Sequence, residues 1–116
     1  LEEGGRNQWV VFLSIALAVF LGPIFEEVFF RGFLYPILRR YFGVTTALVV
    51  TSSLFAFVHD STFAFWPIFI LGMALNYVYE KRGSLVANIT LHVTHNAIFL
   101  TYFFLAKTIV SGEMGG

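Results

Sequence analysis

Four long apolar stretches, separated by junctions of only a few polar or glycine residues, constrain this chain more than any other feature. They run from about Gln8 to Tyr41, from Val44 to His59, from Phe63 to Tyr79 and from Ser84 to about Lys107. A helix needs roughly 20 apolar residues to cross a bilayer. Lipid offers no partner for backbone N–H and C=O groups, so each stretch is expected to be helical. Together they use nearly all of the 116 residues, of which 58% are hydrophobic and only 12% charged. That balance lies outside the range of soluble domains. The expectation is an all-α, multi-pass membrane bundle of about four antiparallel transmembrane helices, a single membrane-embedded domain over residues 1–116. The chain opens on Leu1 and a polar Glu2–Arg6 stretch without a separate signal segment, and so reads as part of a longer protein.

The junctions carry ordinary helix breakers: Gly43 after Arg39 and Arg40, then Asp60, Ser61 and Thr62, then Lys81, Arg82 and Gly83. Such short connections force neighbouring helices to run antiparallel. The first stretch is unusually long and holds Gly22 and Pro23. A kink there, or a split into two helices, are the outcomes the sequence leaves open. Arg39, Arg40, Lys81 and Arg82 fall in the first and third junctions, on one side of the membrane, which the positive-inside rule makes cytoplasmic. Tyr35, Tyr41, Tyr77 and Tyr79 gather at that end, and Trp9, Trp66 and Tyr102 at the other.

Composition also removes whole classes of function. Formal net charge is zero and no basic run exceeds two residues, so nucleic acid is not the partner. Without cysteine there is no disulfide, thiol nucleophile or thiolate metal site. Any chemistry must use oxygen and nitrogen groups.

Ionisable side chains deep in apolar helices are costly and mark function by default. Three groups qualify: Glu26, Glu27 and Arg31 in the first stretch, His59 at the end of the second, and His92, His95 and Asn96 in the middle of the fourth. At about 1.5 Å of rise per residue, Glu26 lies about 20 Å from Arg39, His59 about 22 Å from Val44, and His92 and Asn96 about 14 and 20 Å from Gly83. Three helices distant in sequence therefore deliver these groups to one level of the membrane. Glu27 and Arg31 are four apart and face each other, whereas Glu26 points roughly 100° away. Glu27 is the supporting residue and Glu26 the free carboxylate, suited to act as general base in a poorly solvated site. Thr51, Ser52, Ser53, Gly72 and Asn76 read as small or polar contacts that let helices approach, without chemistry.

The Glu-Glu-x-x-x-Arg of Glu26, Glu27 and Arg31, the Phe-x-x-x-His of Phe55 and His59, and the His-x-x-x-Asn of His92 and Asn96 resemble the motifs of the CPBP family. This is the family of CAAX proteases and bacteriocin-processing proteins, also called Abi, which includes Ras-converting prenyl endopeptidases. The resemblance covers about Leu21 to Phe104 and implies an intramembrane endopeptidase. On it, Glu26 would activate the attacking water with help from His59, while His92 and Asn96 would stabilise the oxyanion. Glu27 and Arg31 would fix the helix. His95 stands where Asn is common and is a secondary candidate. No cofactor is required on this reading; the alternative is a zinc ion held by Glu26, His59 and His92, although no His-Glu-x-x-His helix is present.

The implied partners are membrane lipid and a peptide or membrane-protein substrate, prenylated in the CAAX case. The compact, short-looped core favours a bacterial cytoplasmic membrane over a eukaryotic endomembrane. The competing class is a non-catalytic membrane module of the immunity or chaperone-like kind, which would not need all four candidate catalytic residues.

Overall fold

In the computed structural model, which describes residues 2–115, every long segment is helical and no strand occurs among the described residues. The first helix, α1, is continuous through five pieces. It is α-helical over Glu2–Ala16, Gly22–Phe29 and Tyr35–Phe42, with π turns over Leu17–Leu21 and Phe30–Leu34. Three further helices follow: α2 over Val44–Val58, α3 over Phe65–Arg82 and α4 over Leu85–Gly115.

The π turns explain why α1 neither splits nor ends at its prolines. A proline inside a helix lacks an N–H and its ring collides with the carbonyl four residues back. Each π turn stands immediately ahead of such a residue, Pro23 or Pro36. The Gly22 N–H reaches back to the Leu17 carbonyl and the Tyr35 N–H to that of Phe30, wide bonds that absorb the mismatch. Of the two outcomes left open at Gly22 and Pro23, the split does not occur. The helix also begins before Gln8, and α4 continues past Lys107 to Gly115.

Side-chain contacts fix the directions of the helices. Asn76 of α3 donates to the Leu48 carbonyl and to Ser52 Oγ on α2, while Tyr35 and Arg39 of α1 both reach Glu80 near the end of α3. The ends of α1 and α3 therefore meet at one end of the bundle, with α2 returning between them. Along α4 the partners on α1 run backwards: Asn88 meets Glu27, His92 meets Glu26, and Asn96 meets Ala18. Helices α1 and α4 are antiparallel.

Turns are cut by residues suited to them. Gly83 ends α3 in the left-handed conformation at φ 58°, its N–H bonded to the Tyr79 carbonyl, and Ser84 then caps α4 by accepting from the Ala87 N–H. Asp60 takes φ 48° just after His59, a conformation that Asp tolerates better than most residues.

The inside of this bundle is as polar as it is apolar. Buried beside Phe30, Phe55 and Leu75 are Glu27, Arg31, Thr51, Ser52, Asn76, Asn88 and His92, whereas Phe25, Phe57, Phe63 and Val86 point outward. Water would penalise that arrangement, and a hydrocarbon solvent rewards it. Two helical stretches, Gly4–Phe42 and Leu85–Gly115, are long and apolar enough to cross a membrane.

Candidate active site

The site is built outward from one buried ion pair. Glu27 and Arg31, one turn apart on α1, are both fully buried, with Nη1 of Arg31 2.7 Å from Oε2 of Glu27. The guanidinium spends its other donors on α3, with Nε to Asn76 Oδ1 at 2.8 Å and Nη2 to the Gly72 carbonyl at 3.0 Å. Its Cζ also lies 4.7 Å from the centre of the Phe55 ring on α2. The other oxygen of Glu27 accepts from Asn88 Nδ2 on α4 at 2.9 Å. Desolvating two charges is tolerated only when nearly every hydrogen-bonding site is met; here α3 and α4 supply the hydrogen bonds and α2 an aromatic face. Gly72 is what allows the approach: a Cβ there would stand 3.1 Å from Phe55 Cδ1 and 3.3 Å from Ser52 Cα.

Glu26 turns away from that pair toward an opening. Its side chain is 32% exposed, against 0% for Glu27. Nε2 of His59 lies 3.6 Å from Oε1, and Nε2 of His92 lies 3.4 Å from Oε2. One carboxylate is therefore flanked by imidazoles from α2 and α4. The far side of each ring also has a polar neighbour. Nδ1 of His59 is 2.6 Å from the Phe55 carbonyl. A carbonyl only accepts, so Nδ1 carries a proton, and Nε2 is the ring nitrogen turned toward Glu26. Nδ1 of His92 is 3.4 Å from Oε2 of Glu27, outside hydrogen-bond geometry. Phe55 serves as the wall behind both rings, with centroids 4.7 Å from His59 and 5.7 Å from His92.

Of the residues singled out by sequence, the fold brings Glu26, His59 and His92 together and sets Glu27 and Arg31 directly behind them. Asn96 lies one turn beyond His92, and its amide donates to the Ala18 carbonyl of α1 at 3.3 Å. His95 faces outward, stacked on Phe99. Sequence reasoning passed over Asn88, which stands one turn before His92 on the same face of α4. It also read Gly72 and Asn76 as packing, although both receive the guanidinium of Arg31. The four-residue spacing of Asn76 from Gly72 and of His92 from Asn88 was the available signal.

A carboxylate between two imidazoles, a third exposed on one side and backed by a dry polar network, can accept a proton from a small molecule and return it. Among the described residues no three His, Asp or Glu side chains converge as a metal site. His59 and His92 address different oxygens of Glu26 instead of one common point.

A family model described as type II CAAX prenyl endopeptidase Rce1-like matches residues 7–98. That span takes in the whole of the geometry above, from Ala18 to Asn96. No curated protein and no solved structure matches the chain.

Proposed function

The chain belongs to the Rce1-like type II CAAX prenyl endopeptidase family, a family of membrane-embedded proteases acting on peptides, and on that premise we propose that it hydrolyses peptide bonds at Glu26 with water as the nucleophile. The observation that carries the reading is the Glu26 carboxylate flanked by His59 Nε2 and His92 Nε2 at 3.6 and 3.4 Å.

Water bound at the open side of Glu26 gives its proton to the carboxylate, while His59 Nε2 orients it. The oxygen adds to the scissile carbonyl carbon and the carbonyl electrons move to oxygen. His92 and Asn96 donate to that oxyanion, for which Asn96 gives up its long bond to the Ala18 carbonyl. The tetrahedral intermediate collapses, the C–N bond breaks, and Glu26 returns its proton to the leaving amine. Glu27 and Arg31 take no part in bond making; they hold α1 against α3 and α4. His95, stacked on Phe99 away from the carboxylate, has no step.

The reading requires no metal. In the alternative, a zinc ion would be held by Glu26, His59 and His92; no step is routed through one. The substrate class is a peptide or membrane protein, taken here as a prenylated CAAX tail. The exposed aromatic surface and the part-exposed Glu26 suit a chain delivered from lipid. All four helices are assigned to the membrane, and the very short connections favour a bacterial cytoplasmic membrane.

The test is cleavage of a farnesylated peptide ending in Cys-aliphatic-aliphatic-X by the protein in lipid vesicles, followed by mass spectrometry. Hydrolysis by the wild type and none by His59→Ala is expected. Equal hydrolysis by both would remove the centre from the reaction. A membrane module of the immunity or chaperone-like kind would leave the peptide whole in both cases.

A further inference from the structure

We propose that Asn88 is a positioning residue of the Glu26 centre, acting through Glu27 to set the His92 ring; the proposal rests on the hydrolytic reading above. Asn88 is fully buried on α4, one turn before His92. Its amide spends both hydrogens on different helices, one on Oε1 of Glu27 at 2.9 Å and one on the Leu75 carbonyl of α3 at 2.8 Å. Its own Oδ1 is buried with no partner among the described residues. A buried acceptor left unpaired is a cost, so the amide is kept for what it donates.

What it donates to is half of a two-handed grip. Arg31 holds Oε2 of Glu27 at 2.7 Å and Asn88 holds Oε1, which fixes the plane of the carboxylate as well as its position. Oε2 is then left 3.4 Å from Nδ1 of His92, whose Nε2 in turn stands 3.4 Å from Glu26. Groups behind an active-site imidazole decide how the ring is turned. Contacts of this kind are often long in the free enzyme and tighten when substrate binds. Because Asn88 and His92 share one helix, the hold of Asn88 on Glu27 also sets α4 against α1, and with it the distance from His92 to Glu26.

A simple tie between helices predicts something different from a positioning role. Asn88→Ala removes the donor, and the nearly isosteric Asn88→Asp sets a carboxylate against Glu27. In the full chain, with the farnesylated peptide as probe, both variants are expected to lower kcat by about tenfold or more with little change in KM, Asp more than Ala. Imidazole 15N spectra of the protein in lipid nanodiscs supply the second readout. The His92 signals move in both variants, while those of outward-facing His95 stay. A folded variant with unchanged kcat or unmoved His92 signals overturns the proposal, as does a uniform movement of all three histidines. Where Asn88→Ala does not fold, Asn88→Ser keeps a donor and is read by the same criteria at smaller amplitude. A wild type that cleaves no such peptide defeats the hydrolytic reading instead, and the His92 signals then decide the role of Asn88 alone.

Discussion

Nε2 of His92 lies 3.4 Å from Oε2 of Glu26, and Nδ1 of the same ring lies 3.4 Å from Oε2 of Glu27. One imidazole on α4 thus spans two consecutive glutamates of α1 that differ completely in environment. Glu26 faces an opening, and Glu27 is sealed in the bundle. Two neighbours in sequence acquire different duties because a helix turns about 100° per residue.

That difference predicts opposite failures. Glu27→Gln leaves Arg31 buried without its carboxylate and is expected to cost about 3–5 kcal/mol of stability, as broken buried pairs do. Glu26→Gln is expected to leave the midpoint of thermal unfolding in detergent unchanged. Scanning both variants beside the wild type checks this, and a comparable loss in each would contradict the division.

Packing at Gly72 gives a prediction independent of chemistry. A methyl group there would press on Phe55 and on the Ser52 backbone at 3.1 and 3.3 Å. Gly72→Ala is expected to cost about 1–3 kcal/mol through overpacking, and Gly72→Val more. Because Phe55 backs both imidazoles, catalysis should fall along with stability. Thermal unfolding and turnover on the same preparations measure both.

Asn96 and His95 are adjacent, yet only Asn96 points toward α1. Removing one oxyanion donor costs about 10²–10³ in kcat, so Asn96→Ala is expected to lose about that much. His95→Ala should behave as the wild type. Steady-state kinetics of the two variants checks the contrast, and a large loss in His95→Ala would bring that ring back into the site.

The metal-free reading predicts full activity in protein carrying well under one equivalent of zinc after chelation. Elemental analysis and turnover on one sample decide it. Activity that follows bound metal and returns on adding zinc would favour the version in which Glu26, His59 and His92 are ligands.

Much of this was legible beforehand, for identifiable reasons. The helices followed from apolar length, and the pairing of Glu27 with Arg31 from their four-residue spacing. The common level of Glu26, His59 and His92 followed from helical rise counted from the junctions. What escaped was set by relations between helices. Asn88 carries no charge and looks like an ordinary polar residue of α4; its importance depends on facing Glu27, which α4 determines only once it is docked. The π turns escaped because proline signals a broken helix, whereas wide turns ahead of Pro23 and Pro36 let α1 continue instead. The ends of α1 and α4 were drawn too short because hydropathy fades there, although helical backbone continues through Glu2–Arg6 and out to Gly115.

The central claim is that Glu26 moves the proton in peptide hydrolysis. Its most direct test is kcat/KM of Glu26→Gln on the farnesylated peptide, measured in vesicles with the folded state verified by thermal unfolding. The account predicts a loss of at least about 10²-fold, in the range general acid–base groups contribute, in a protein as stable as the wild type. Turnover near the wild-type rate would contradict it.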